Sequence, residues 1–107
     1  MEIEIVSSNF EQEVLNSEIP VIVDFRASWC QPCAMLAPVL SEMAEKYDGK
    51  IKVGKINIDN EIALTMKYSV TAVPTLVVIK NGEEADRTVG LVSAGQLEEL
   101  ILRNIGE

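Results

Sequence analysis

The two cysteines of the chain lie in the run Trp29-Cys30-Gln31-Pro32-Cys33. They follow the short apolar run 21–25, which is typical of a buried strand, and they precede a segment with helical spacing. The first turn of a helix has unpaired backbone N–H groups and partial positive charge, and both favour a thiolate over a thiol. Because the thiolate is the species that attacks disulfides, this placement predicts dithiol–disulfide exchange. The alternatives for such a motif taken alone are a structural disulfide and half of a metal site.

The first half of the chain supplies the elements around the pair. Alternation over residues 2–5 predicts a short strand, and the pattern Ser8-Asn9-Phe10-Glu11 matches a capping box that starts a helix through about Leu15. A strand is expected over Val21–Arg26. The helix after the cysteines should end at Asp48-Gly49 and should kink at Pro38.

The second half predicts a strand within residues 50–59, a short helix near 61–68, and a central strand over 75–79. Asn81-Gly82 predicts a hairpin turn into a strand that ends near Val89. A second capping box, Ser93–Gln96, starts a closing helix. The order β-α-β-α-β-α-β-β-α indicates an α/β fold, with a mixed, mostly parallel five-stranded sheet and four helices that cover both faces.

Composition limits the possible functions. A chain of 107 residues with no composition shift predicts one domain, 1–107. The net charge of −8 argues against nucleic acid and anionic membranes as partners. The chain has no histidine, which excludes histidine-based catalysis and most zinc sites. No apolar run approaches the roughly 20 residues of a membrane span, and the acidic N-terminus lacks a signal pattern, so a cytoplasmic location is expected.

The chain resembles the thioredoxin family. The matching pieces occur in the family's order: Asp24-Phe25, Trp29-Cys30-x-Pro32-Cys33, Pro38, Lys55-Ile56-Asn57-Ile58-Asp59, Val73-Pro74-Thr75, Asn81-Gly82 and Gly90. The resemblance implies the thioredoxin fold. Two positions depart from it, since Gln31 stands where the family usually has Gly, and Arg26 where Trp is common. Both departures bear on the redox potential and on the preferred partners.

The resemblance assigns roles to four residues. It implies that Cys30 attacks the target disulfide and that Cys33, one turn into the helix and expected to be more buried, resolves the mixed disulfide. It also implies that Asp24 is a buried acid that accepts a proton from Cys33, and that Lys55 faces this acid. A buried Asp has a raised pKa. The alternatives are a solvated strand end for Asp24 and a merely exposed Lys55.

Arg26 suggests a hypothesis of its own. Strand alternation places Arg26 on the same face as Asp24, so its guanidinium is expected near both the acid and Cys30. A cation at that point would lower the pKa of both groups.

A second loop is implied to complete the site. In the family the bond before the proline of Val73-Pro74 is cis, and the backbone of the residue before it pairs with the substrate peptide; a proline that only interrupts the chain is the alternative. We expect a flat, mostly apolar rim that suits extended protein substrates. The expected substrate-binding residues are Trp29, Gln31, Pro32, Ala72, Val73, Pro74, Gly90 and Leu91. Met35 and Met43 are expected in the core.

These observations predict a protein-disulfide reductase that uses its own cysteine pair, with no bound cofactor and no metal. Its partners would be disulfide-bearing proteins and a separate thioredoxin reductase, either an NADPH-linked flavoenzyme or a ferredoxin- or flavin-linked enzyme, and the chain is expected to be a monomer. The alternatives are a binding module that serves as a stable subunit of a larger assembly, with incidental redox turnover, a carrier of Cu(I) or zinc, and an oxidase or isomerase. The redox potential separates the last alternative from a reductase.

Overall fold

In the computed structural model, which describes residues 1–106, five strands form one mixed sheet in the order β1-β3-β2-β4-β5. The strands are β1 (Glu2–Glu4), β2 (Val21–Arg26), β3 (Lys52–Asn57), β4 (Thr75–Lys80) and β5 (Glu83–Val89). β1 and β2 both run parallel to β3, whereas β4 is antiparallel to β2 and to β5. The predicted five-stranded mixed sheet is therefore confirmed, and its parallel part is confined to β1, β3 and β2.

Four helical segments occur within residues 1–106, in the predicted chain order; the first three connect strands and the fourth follows β5. They are a π-helical segment (Glu11–Leu15), α1 (Gln31–Lys46), α2 (Ile62–Lys67) and α3 (Ala94–Asn104). α1 is continuous through Pro38; the kink expected there stays a prediction. None of the helices within residues 1–106 has the length and apolar character that crossing a membrane requires.

One of the two predicted capping boxes forms. The Ser93 hydroxyl accepts a hydrogen bond from the Gln96 N–H, and the Gln96 side chain accepts one from the Ser93 N–H. The capping box predicted at Ser8–Glu11 is wrong, because the residue before the first helical position is Phe10, which makes no side-chain cap. The nearby Asn9 instead binds the turn after β1: its Oδ1 accepts from the Val6 N–H at 2.8 Å.

The helices cover both faces of the sheet, as predicted, because alternate strand residues point to opposite sides. α1 and α3 pack on the face that includes Ile22 of β2, whereas the π-helical segment and α2 pack on the face that includes Val21 and Val23. Asp24 and Arg26 share the alternation of Ile22. The polar residues of β2 therefore lie on the face covered by α1, the helix that begins at the cysteine pair.

Two local features depend on glycine. Asn81 and Gly82 have φ values of 52° and 80°, the left-handed conformation that a tight two-residue hairpin turn requires, so the predicted turn is confirmed. Gly54 of β3 lies against β1, where a Cβ atom would approach the Ile5 Cγ1 atom to 2.8 Å. The close approach of these strands needs a residue without a side chain at Gly54.

Candidate active site

The cysteine pair lies where β2 gives way to α1, as the sequence predicts. Cys30 is the N-cap residue of α1, and its extended backbone lets Sγ accept a hydrogen bond from the Cys33 N–H at 3.2 Å. Pro32 stands in the first turn, where a missing N–H costs nothing because those groups have no intrahelical partner. A backbone N–H of the first turn, which has no intrahelical partner, therefore points at the Cys30 sulfur.

The two cysteines are joined as a disulfide, with their Cα atoms 5.3 Å apart. Both are buried, with exposed fractions of 6% for Cys30 and 4% for Cys33. Cys33 is thus the more buried of the two, as predicted, although only slightly. The pair packs with Ala27 and against the partly buried Ile58 and Val73.

The loop before β4 approaches the cysteine pair. The Val73–Pro74 peptide bond is cis, as the resemblance implied, and the Val73 carbonyl oxygen lies 3.8 Å from the Cys30 Sγ. The Thr75 hydroxyl donates to the Ala72 carbonyl at 2.7 Å, and the Gly90 N–H donates to the Pro74 carbonyl at 2.8 Å. These bonds hold the Val73 backbone beside the sulfur.

An exposed surface surrounds the pair. Trp29 has an exposed fraction of 68%, and its indole N–H donates to Asp59 Oδ2 at 2.9 Å. A recess of about 300 Å³ lies beside the indole, lined by Trp29, Ile58, Val70, Thr71, Ala72 and Val73. Its lining is largely apolar, which matches the predicted rim.

The remaining rim residues lie outside this recess. Gln31 and Pro32 are exposed at the start of α1, and Leu91 is exposed beside Gly90 after β5. Gly90 is tied to the site through its bond to Pro74. The predicted surface therefore consists of an apolar recess on one side of Cys30 and more loosely grouped residues around it.

Asp24 is buried under α1, with an exposed fraction of 2%. Its Oδ1 atom has no hydrogen-bond partner among residues 1–106. Burial raises the pKa of this carboxyl from 3.8 to about 6, although the charges of Arg26 and Lys55 oppose the rise. The alternative of a solvated strand end is therefore excluded, and an acid that titrates near neutral pH lies on the cysteine side of the sheet.

Lys55 lies opposite Asp24 in the β2–β3 register, as the resemblance implied. Its ammonium group, however, forms an ion pair with Glu2, with 3.0 Å between Nζ and Oε1. The alternative of an unpartnered, exposed lysine does not hold, since the Lys55 side chain is mostly buried. Its positive charge acts on Asp24 across the strands.

A cavity of about 270 Å³ lies beside the disulfide, and Arg26, Cys30, Cys33 and Lys55 line it. Asp24 is not one of its lining residues, but it lies on the same face of β2 as Arg26. Arg26 pairs with Glu4, with 3.2 Å between Nη2 and Oε1. Arg26 lies where the hypothesis placed it, on the Asp24 face of β2 and lining the cavity together with Cys30. Its charge lowers the pKa of Asp24, as the hypothesis states, although the effect of burial is larger and the net pKa is raised. The effect on Cys30 stays a prediction.

Sequence reasoning gave no role to the partners of these residues. Glu2 and Glu4 hold the two cations, and Asp59 holds the indole of Trp29. The alternation of β1 was the available signal, because it places both glutamates on one face. The expectation that Met35 lies in the core is wrong, since it is 55% exposed on α1, whereas Met43 is buried as predicted.

Comparison with known proteins agrees with this geometry. The thioredoxin family model matches residues 2–103. The chain belongs to the thioredoxin family. It is 42% identical over 102 residues to thioredoxin 1 of Nostoc sp., covering 95% of each chain. It is 44% identical over 101 residues to a thioredoxin of Rickettsia bellii, covering 94% of this chain and 96% of that one.

A third relative is the mitochondrial thioredoxin of Mus musculus, which is 45% identical over 98 residues; these cover 92% of this chain and 59% of that protein. Thioredoxins are thiol–disulfide oxidoreductases that act on disulfide substrates and are themselves reduced by a reductase. With its cysteine pair joined at the start of α1, this thioredoxin is a protein-disulfide reductase.

Proposed function

We propose that Cys30 is the attacking cysteine of this thioredoxin. The observation that carries the proposal is the hydrogen bond from the Cys33 N–H to the Cys30 Sγ at the N-terminus of α1. In the reduced protein the same donor and the helix dipole stabilise a Cys30 thiolate. The thiolate attacks one sulfur of a target disulfide, forms a mixed disulfide with it, and releases the other target sulfur as a thiolate.

Cys33 then resolves the mixed disulfide. Its thiol gives its proton to the Asp24 carboxylate by way of the cavity that Cys33 lines together with Arg26 and Lys55, the two residues whose positive charges act on Asp24. The cavity has room for several water molecules at about 30 Å³ each, which can carry the proton. The Cys33 thiolate attacks the Cys30 sulfur, and the Cys30–Cys33 disulfide forms as the second target sulfur leaves as a thiolate. Two electrons pass from the cysteine pair to the target. The Lys55 charge assists by favouring the ionised form of Asp24.

The substrate is an extended polypeptide. Its backbone pairs with that of Val73, which lies beside the sulfur, and an apolar side chain enters the recess beside Trp29. Gln31, Pro32, Ala72, Pro74, Gly90 and Leu91 complete this surface.

The oxidised pair is returned to the dithiol by a separate reductase that supplies two electrons and two protons. Either an NADPH-linked flavoenzyme or a ferredoxin- or flavin-linked enzyme fits this requirement. We further propose that the chain works as a single-domain monomer in the cytoplasm, where it serves electron transport to protein disulfides and cell redox homeostasis. The acidic composition accords with this role.

Paired serine variants test the assignment of the cysteines. Cys33→Ser should form a stable mixed disulfide with intact insulin, whose chains are joined by disulfides, or with another disulfide-bearing protein, because the resolving thiol is gone. Cys30→Ser, the matched control, should form none and should have no insulin reductase activity. Non-reducing electrophoresis and mass spectrometry detect the adduct. Adducts on Cys30→Ser, or turnover by it, would reverse the two roles.

A further inference from the structure

We propose that Glu4 and Arg26 form a positioning pair beside the cavity that Arg26 lines with Cys30 and Cys33, in which Glu4 offsets the charge of the guanidinium and thereby sets how readily Asp24 exchanges its proton. The inference rests on the proposed role of Asp24 as proton acceptor for Cys33. It adds a residue, Glu4, that the exchange chemistry does not itself require.

The first support is the position of Arg26. It is the last residue of β2, on the Asp24 face, and it lines the cavity together with Cys30 and Cys33. Its Nη2 binds Glu4, but its buried Nε has no hydrogen-bond partner among residues 1–106. The buried Asp24 Oδ1 atom likewise has no hydrogen-bond partner among residues 1–106. Since buried polar atoms are normally paired, two unsatisfied groups of opposite charge on this face indicate a site where protons and water exchange.

The second support is the set of charges that act on Asp24 from β3, which adjoins β2, and from β1 beyond it; on the other side, β4 places the uncharged Leu76 opposite Asp24. β1 contributes Glu2 and Glu4, β2 contributes Arg26, and β3 contributes Lys55. Cys33 of α1 and its N-cap residue Cys30 line the cavity with Arg26 and Lys55, and the hydroxyl of Ser41 of α1 donates to Glu2 Oε1 at 3.0 Å. Each cation is thus tied to a glutamate on β1. The outermost strand controls where the positive charges stand relative to the acid.

The two ion pairs differ in exposure. The side chains of Lys55 and Glu2 are 23% and 31% exposed, whereas those of Arg26 and Glu4 are 30% and 53% exposed. Lys55 is further constrained because it lies within β3 and pairs in register with Asp24. Arg26 ends its strand and depends on Glu4 for its ion pair. Removal of the Glu4 charge leaves the guanidinium uncompensated beside Asp24, which favours the carboxylate.

The experiment measures the pH dependence of the resolving step. Reduced wild-type protein and the Glu4→Gln variant are mixed with oxidised insulin between pH 5 and pH 8, and the fluorescence of Trp29, the single tryptophan, is followed by stopped flow. Because Asp24 becomes easier to ionise, we expect the midpoint of the rate profile to fall by about half a unit to one unit in Glu4→Gln. Arg26→Gln should move it upward.

Two comparisons make the result decisive. Glu13→Gln is the matched control, because it breaks a similar ion pair with Lys52 of β3, in which Nζ and Oε1 lie 3.3 Å apart, away from the cavity residues. Its profile should equal that of the wild type. If Glu4 acts through Arg26, Glu4→Gln should have little effect in the Arg26→Gln background.

An unchanged midpoint in Glu4→Gln, or a shift that is the same with and without Arg26, would overturn the inference. Asp24→Asn separates this result from a failure of the proposed function. If the pH–rate profile of Asp24→Asn no longer has the wild-type midpoint while that of Glu4→Gln does, the role of Asp24 stands and that of Glu4 falls. If Asp24→Asn keeps both rate and midpoint, the role of Asp24 falls and the positioning role falls with it.

Discussion

Replacement of Asp24 by Asn should stabilise the protein at neutral and alkaline pH. The Asp24 carboxyl has its pKa raised from 3.8 to about 6, chiefly by burial. A rise of about two units, at 1.36 kcal/mol for each, means that the ionised carboxylate costs the folded state about 3 kcal/mol. Asn has nearly the same shape without the charge, so Asp24→Asn should gain about 3 kcal/mol in free energy of unfolding at pH 8.

The gain must depend on pH in one direction. Well below pH 4 the carboxyl is protonated in both the folded and the unfolded protein, so the charge contributes no difference. Between about pH 4 and pH 6 the unfolded chain ionises while the folded protein keeps its proton, so the stability of the wild type relative to the variant falls across this range and is level above it. The gain from Asp24→Asn should therefore be small at pH 4 and near its full size at pH 8.

Urea denaturation of the oxidised proteins at the two pH values measures this gain. With a slope of about 1–3 kcal/mol per molar urea, 3 kcal/mol corresponds to a midpoint increase of about 1–3 M at pH 8. Asp48→Asn is the control, since Asp48 is an exposed partner of the N-terminal amine and such pairs contribute about 0–1 kcal/mol. A gain of equal size at both pH values, or no gain at pH 8, would refute the assignment of a charge cost to Asp24.

Two further substitutions test the fold away from the cysteines. Gly54→Ala should destabilise the protein by about 1–3 kcal/mol, because the new Cβ meets Ile5. Gly95→Ala on α3 is the control and should be neutral or stabilising, because nothing lies within 4 Å of its new Cβ. Equal effects of the two substitutions in thermal denaturation would contradict the close contact between Gly54 and Ile5. Asp86→Asn should lose up to about 1 kcal/mol at pH 7, because the bond from Arg103, which lowers the pKa of the Asp86 carboxyl to about 2, belongs to an ion pair at the surface that solvent screens. That loss should diminish as the pH falls from about 4 toward 2, and a loss that does not change with pH would show that the ion pair is not its cause.

Much of the fold could be predicted because local sequence signals agree with the tertiary structure. The bounds of β2 match the prediction, since an apolar run between Pro20 and the cysteines admits little else. The turn at Asn81-Gly82 and the capping box at Ser93 follow from backbone conformation and side-chain hydrogen bonding, which act over a few residues. Such signals need no knowledge of distant contacts.

The wrong predictions concern features that depend on contacts between residues far apart in the sequence. Asn9 favours a turn contact with Val6 over a helix cap, and this depends on how β1 ends. Met35 has the spacing of a core residue, but the packing of α1 on the sheet leaves it exposed. The ion pairs of Lys55 and Arg26 also depend on β1 lying beside β3, which no local pattern specifies.

Buried polar atoms without hydrogen-bond partners are concentrated on the face of the sheet that carries Asp24 and Arg26. Among residues 1–106, three buried side-chain polar atoms have no hydrogen-bond partner, and two of them, Asp24 Oδ1 and Arg26 Nε, belong to this face. A cost of about 3 kcal/mol for Asp24 is a large fraction of the 5–15 kcal/mol that stabilises a typical domain. Uncharged residues of similar size would avoid this cost, so the presence of Asp24 on the face that α1 covers indicates a function that needs an acid. Proton transfer to and from the resolving thiol is such a function, since it requires a group that is protonated and deprotonated near neutral pH.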